Sequence, residues 1–103
     1  MSQLARAMTE DELLQAITEA ATLYGWRWTH TRRSDKAQIM GHAGVPDLLL
    51  VREGRVLFFE LKSEKGITTP DQRTWLDRLS LAEGVVAVVI RPGFLDAALA
   101  MLQ

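Results

Sequence analysis

An α/β fold in the order α-β-β-β-α-β-α is what this sequence predicts, and three observations predict it. Two Thr-x-x-Glu/Gln boxes, Thr9 with Glu12 and Thr69 with Gln72, each precede apolar residues at helical spacing. Between them lie two β runs, VPDLLLV and RVLFFELK, joined by Glu53-Gly54, a two-residue hairpin signal. Both runs are apolar at consecutive positions, so their sheet is expected to be covered on both faces, or on one face plus a ligand or partner.

The elements follow in order. The first helix takes Thr9 as N-cap, turns Leu13, Ile17, Ala20, Ala21 and Tyr24 inward, and stops at Gly25. Residues 26–31 (WRWTHT) alternate as a short strand. Residues 32–44 are polar, contain glycine and show no period, which reads as a loop. The hairpin follows. The second helix has Thr69 as N-cap and Pro70 at N1, where its missing N–H leaves no bond unmade. Its inner stripe is Trp75, Leu76, Leu79 and Ala82, and Gly84 ends it. Val85–Ile90 is a buried strand. Pro92-Gly93 then turns the chain into a last helix with Leu95, Leu99 and Leu102 inward.

A chain of 103 residues is one domain's worth, so residues 1–103 are read as a single domain. The hydrophobic fraction of 48% and charged fraction of 24% are those of a globular protein and exclude a disordered one. The absence of cysteine excludes disulfide frameworks and thiolate metal sites. A net charge of −1 excludes a strongly basic binder of the histone kind, but not nucleic acid as such, because the placement of charge decides that. The N-terminus has no secretory h-region, and the longest apolar runs are far short of the ~20 residues of a membrane helix. A soluble protein of the cytoplasm, without a membrane partner, is expected.

The hairpin brings two acids together. With Arg52 opposite Arg55, Val51 faces Val56, Leu49 faces Phe58 and Asp47 faces Glu60. Directly opposed residues have Cβ atoms ~4.5–5.5 Å apart, where like charges are destabilising. Lys62, two residues beyond Glu60, points to the same face. Either Lys62 neutralises the acids at a frayed hairpin end, or a hard divalent cation sits between the carboxylates and removes their repulsion. Mg²⁺ typically takes one or two carboxylates plus water and phosphate oxygens. A lysine beside such a site serves to orient or deprotonate water or to stabilise developing negative charge. Glu10 is relevant because the capping box uses Glu12 and leaves Glu10 on the core-facing stripe. Its plainer reading is a first-turn acid favoured by the helix dipole.

These residues carry a resemblance. Gly44-Val45-Pro46-Asp47, followed by Glu60-Leu61-Lys62, resembles the PD-(D/E)XK nuclease signature. The segment from Phe59 through Gly66, with Thr69-Pro70-Asp71-Gln72 and Trp75-Leu76, looks like its VRR-NUC branch, which includes small stand-alone proteins of phage and bacteria. The resemblance spans nearly the whole chain from about Thr9. It implies a restriction-endonuclease-like core, a mixed central sheet flanked by helices, and Mg²⁺- or Mn²⁺-dependent hydrolysis of DNA phosphodiesters in the manner of Holliday-junction resolvases and other structure-specific nucleases. By matching position it implies that Asp47 and Glu60 are metal ligands, with the Leu61 carbonyl as a third, and that Lys62 is the catalytic lysine. Glu10 matches the acid of the family's first helix, with Glu12 as the fallback. Gln72 matches a downstream glutamine, although the capping box already accounts for it. The cell implied is a bacterial host or a phage-infected one.

DNA contacts are expected from Arg32, Arg33 and Lys36, which with Arg27 form a basic cluster near His30 and His42, and from Lys65 with Gly66. The alternative for that cluster is a solvated loop. His42 is a poor ligand for a hard cation, and Trp26, Trp28 and Trp75 read as core rather than as base-stacking groups. The chain holds little beyond a catalytic core, and one site cuts one strand, so a homodimer is expected for paired incisions. The opposing function is a catalytically inactive nucleic-acid-binding module on the same fold. A third is a dimeric restriction-type enzyme reading a short sequence through residues 32–44.

Overall fold

The computed structural model describes residues 8–31 and 40–103. Helix α1 (Glu10–Leu23) opens on the expected box: the Glu12 N–H donates to Thr9 Oγ1 at 3.1 Å, and the Thr9 N–H to Glu12 Oε1 at 3.0 Å. Leu13, Ile17 and Ala21 are buried, three residues of one helical stripe. Tyr24, expected inward, is exposed instead, because it is already the C-cap residue, outside the helical repeat.

Strand β1 (Arg27–His30) follows, then β2 (Leu48–Arg52) and β3 (Arg55–Leu61). The β2–β3 turn has φ of 49° at Glu53 and 78° at Gly54, and two positive φ values are the requirement of the type I′ hairpin. That turn sets the predicted register, with Arg52 opposite Arg55, Leu49 opposite Phe58 and Leu48 opposite Phe59. Strand β2 starts later than the apolar run, at Leu48, because Pro46 lacks the N–H a ladder needs.

Helix α2 (Pro70–Ser80) carries its own complete capping box, with Thr69 and Gln72 exchanging two bonds of 2.9 and 3.2 Å. It ends at Ser80, two residues before the predicted inner position Ala82, which is exposed. The Ser80 hydroxyl donates to the Leu76 carbonyl at 2.7 Å, and the Leu81 and Ala82 N–H groups bond back only three residues, tightening and closing the helix. Strand β4 (Val85–Ile90) pairs parallel to β3, with Glu60 beside Val89 and Leu61 beside Ile90. A 3₁₀ turn (Pro92–Phe94) leads into α3 (Leu95–Leu102), whose buried residues are Ala98 and Leu102, with Leu95 and Leu99 half-buried.

The sheet order is β1-β2-β3-β4, antiparallel through β3 and parallel at β4, a mixed sheet as expected. Alternation sends Leu48, Leu50, Leu57, Phe59, Leu61 and Ile90 to one face, where they form the core with Leu13, Ile17 and Ala21 of α1 and Ala98 and Leu102 of α3. The opposite face receives α2 near β4, where Leu76 and Ala87 are buried. Farther toward β2, Leu49 and Phe58 on that face are half-buried and Val51 is exposed. Coverage is therefore complete at the centre of one face, with Trp28 and Val86 exposed toward its edges, and partial on the other among the described residues.

Two contacts fix the pieces that carry the site. Gly44 has φ of 99°, and a Cβ there would lie 2.7 Å from the Asp71 carbonyl carbon and 2.8 Å from the Gln72 nitrogen. Only glycine lets the segment before Asp47 run this close to the first turn of α2. The Trp75 indole N–H donates to the Ala43 carbonyl at 3.0 Å and closes the same contact. At the far end of the sheet, Arg52 and Arg55 bracket the Trp26 ring at 4.6 and 5.1 Å and bond the carbonyls of Leu102, Gln103 and Met101, which ties α3 to the hairpin.

Candidate active site

A cleft of about 430 Å³ opens where β1, β2 and β3 end together, beside the first turn of α1. Its walls include Asp47, Glu60, Leu61 and Lys62 from the hairpin and Glu10, Asp11 and Leu14 from α1. His30 and Thr31, at the end of β1, complete it.

Asp47 ties three strands. Its carbonyl accepts the Thr31 N–H at 2.8 Å, and its side-chain Oδ2 accepts the Leu61 N–H, also at 2.8 Å. The carboxylate therefore reaches from the start of β2 to the last residue of β3, beside Glu60, and keeps Oδ1 for other contacts. Glu60 continues the register one step past Leu48–Phe59 and is only 2% exposed, although it borders the cleft. A carboxylate that deep is costly unless it is hydrogen-bonded, ion-paired or ligated to a metal. Lys62 is half-buried, and its N–H donates to the Ile90 carbonyl at 3.1 Å, which holds its backbone to β4.

The cleft gathers Glu10, Asp47, Glu60, Leu61 and Lys62 of the predicted residues. It leaves out Gln72, which is 1% exposed, occupied with its capping box and packed under Gly44. Glu12 is exposed and held by Thr9, whose backbone N–H and hydroxyl keep its carboxyl below the usual glutamate value. Lys65 is exposed on the turn after β3. Arg32, Arg33 and Lys36 lie outside the described residues. His42 borders a different, more apolar groove of about 340 Å³ along α2, next to Trp75 and Leu79. The three indole N–H groups all bond inside the protein, Trp26 to Leu102, Trp28 to Thr22 and Trp75 to Ala43.

Four cleft residues, Asp11, Leu14, His30 and Thr31, were not among those singled out for it. His30 shares a sheet face with Trp28, so strand alternation already aims it toward α1, but in the sequence it stands beside the basic cluster rather than beside the acids. Asp11 has the i, i+3 relation to Leu14, which offers a weak signal amid three consecutive first-turn acids.

The donor set can be tested against a cation. Among the described residues no group of three or more His, Cys, Asp or Glu side chains stands ready to hold a metal. At the hairpin end the cleft offers two carboxylates, Asp47 and Glu60, with the peptide of Leu61, and Glu10 and Asp11 border it from α1. All are hard oxygen donors, and two carboxylates with the remaining positions left to water and phosphate is how Mg²⁺ is usually bound. The residues fit Mg²⁺ or Mn²⁺ and do not fit a soft metal. No helix among the described residues is long and apolar enough to cross a membrane.

Comparison with known proteins bears on the family and the fold. The sequence profile of the VRR-NUC domain matches residues 6–90. A solved structure described as a VRR_NUC domain protein superposes with a TM-score of 0.67 at 26% identity, covering 94% of this chain and 87% of its own. Another, a VRR_NUC domain at 22% identity, gives the same score over 91% of this chain and 97% of its own, a likeness of fold. No curated protein matches the chain.

Proposed function

The chain belongs to the VRR-NUC domain family, a family of nuclease domains, and from that premise we propose that it is a divalent-metal-dependent, structure-specific DNA endonuclease with a PD-(D/E)XK active site. The observation that carries the reading is the junction of Asp47 with the end of β3: one hydrogen bond sets an acid beside Glu60, and Lys62 follows in the same cleft.

In this reading Asp47, Glu60 and the Leu61 carbonyl hold Mg²⁺ or Mn²⁺. The bound ion supplies Lewis-acid polarisation of a phosphoryl oxygen and activation of water. Lys62 hydrogen-bonds a non-bridging phosphate oxygen and stabilises the charge that grows on it as water attacks phosphorus and the ester P–O bond breaks. The products are a phosphate end and a hydroxyl end. Glu10 faces this centre across the cleft and orients the attacking water. Gln72 acts one layer out, keeping the first turn of α2 against Gly44 and hence the Asp47 segment in place. Lys65 on the turn after β3, together with Arg32, Arg33 and Lys36, tracks the DNA backbone. Branched DNA such as a four-way junction, cut by two copies of the chain, is the substrate class this reading favours, and a bacterial or phage-infected cytoplasm is its setting.

The test is a panel of linear duplex, single strand, flap, splayed arm and four-way junction, each incubated with Mg²⁺ or Mn²⁺. The reading predicts cleavage of at least one branched substrate in preference to linear duplex. Tight binding of branched DNA with no cut in either metal would instead establish the inactive binding module.

A further inference from the structure

The turn after Lys62 is held from outside the cleft, and we propose that Arg91 is a positioning residue that sets Lys62 for the reaction through the backbone of Gly66. The inference rests on the reading of Lys62 given above.

Beyond Leu61 the chain leaves the sheet in a short turn, closed by a bond from the Gly66 N–H to the Ser63 carbonyl at 3.2 Å. Arg91 follows directly on Ile90, the residue whose carbonyl accepts the Lys62 N–H. Its Nη1 donates to the carbonyls of Ser63 at 2.8 Å, Gly66 at 2.6 Å and Glu64 at 3.3 Å. Three carbonyls of one turn thus converge on a single cationic nitrogen, which cancels the repulsion of their dipoles. A second tie comes from the Glu64 carboxylate, which accepts the Gly93 N–H at 3.0 Å.

The turn matters to Lys62 because Gly66 stands against its stem. A Cβ on Gly66 would lie 3.4 Å from Lys62 Cδ and 3.1 Å from Ser63 Oγ. Lysine carries its charge on a flexible four-carbon stem, so the ammonium is only as well placed as the wall beside that stem. Arg91 fixes the wall without lining the cleft itself. A direct DNA contact or a purely structural bond makes different predictions from this one.

The experiment measures single-turnover cleavage rate and DNA dissociation constant on the panel substrate that the wild type cuts fastest. Arg91→Ala is expected to lower the rate about tenfold or more, since small misplacements of a reacting group are costly, while the dissociation constant stays within about twofold. Arg91→Lys, which returns one cationic nitrogen with three donors, is expected to recover the rate to within about threefold of wild type. The proposal is overturned by an unchanged rate in Arg91→Ala, by a rate loss matched by equally weakened DNA binding, or by Arg91→Lys cleaving as poorly as Arg91→Ala. Should Arg91→Ala fail to fold, Gly66→Val decides. It crowds the Lys62 stem directly, and the proposal requires a loss of single-turnover rate at saturating DNA, so an unchanged rate overturns it. Lys62→Ala, measured alongside, separates the two levels. A normal rate there sinks the reading of the cleft itself, whereas a lost rate there with Arg91→Ala intact sinks only the role of Arg91.

Discussion

The Asp47 carboxylate accepts the backbone N–H of Leu61 at 2.8 Å, so the acid just before β2 is anchored on the residue that ends β3. The bond gives Asp47 two separable jobs, an acceptor for the fold and a negative charge for the cleft. Asp47→Asn keeps an acceptor oxygen and removes the charge. It is expected to melt close to wild type while losing cleavage on the order of 100-fold or more, the size expected when charge stabilisation of a transition state is removed. Asp47→Ala removes both and should also cost about 1.5–3 kcal/mol of stability, the worth of a hydrogen bond to a charged group. Urea denaturation and cleavage assays on both variants check the split.

Gly44→Ala tests the contact behind the aspartate. The new Cβ meets Asp71 and Gln72 backbone atoms that belong to a helix and cannot yield, and the residue must hold a φ of 99°. We expect a loss of about 1–3 kcal/mol from the backbone conformation alone, with more from the displaced turn. Cleavage should fall as well, because the displaced segment carries Asp47. Thermal melting and the cleavage rate measure the two effects.

Glu10 and Glu12 sit two residues apart in one helical turn and are predicted to behave differently. Glu10 borders the cleft, so Glu10→Gln should lower cleavage and leave stability nearly unchanged. Glu12 is bound by Thr9, so Glu12→Gln should leave cleavage unchanged. Its carboxyl is held below the usual value in the folded chain by the Thr9 N–H and hydroxyl. The unfolded chain therefore takes up a proton first as pH falls. The stability that the charged Glu12 contributes is present above the ordinary glutamate range and disappears as pH drops through the lower, folded value. Denaturation of wild type and Glu12→Gln should differ at neutral pH and converge in acid.

Arg52→Ala addresses stability away from the cleft. Arg52 bonds the carbonyls of Tyr24, Leu102 and Gln103 and stacks on Trp26. Its loss should destabilise the chain by about 2–3 kcal/mol while the remaining folded protein cleaves at the wild-type rate, because no atom of Arg52 lines the cleft. A denaturation curve and a rate measured well below the midpoint distinguish this from an effect on the site.

Much of the hairpin was legible because Glu53-Gly54 admits one tight turn, and a two-residue turn sets register. Asp47 beside Glu60 follows by counting. The bond from Asp47 to the Leu61 N–H was not legible, since it depends on a side-chain direction at a strand end, which counting does not give. The end of α2 was misjudged because Gly84 is a clear stop signal, while the Ser80 hydroxyl, which bonds back to Leu76, looks like an ordinary surface serine. Gln72 shows the limit of pattern: one glutamine at N3 satisfies a capping box and a family motif at once, and only its burial under Gly44 shows that it stays outside the cleft wall. His30 was hidden because its neighbours in the cleft come from α1, β2 and β3, distant in sequence.

The central claim is that Asp47, Glu60 and Lys62 form one phosphodiester-cleaving centre. Its most direct test is the cleavage rate of a four-way DNA junction with Mn²⁺ for wild type and Asp47→Asn at equal concentration of folded protein. Metal-dependent cutting by wild type and its loss in Asp47→Asn, with the fold intact, is the predicted result. Equal cutting by the two proteins would contradict it.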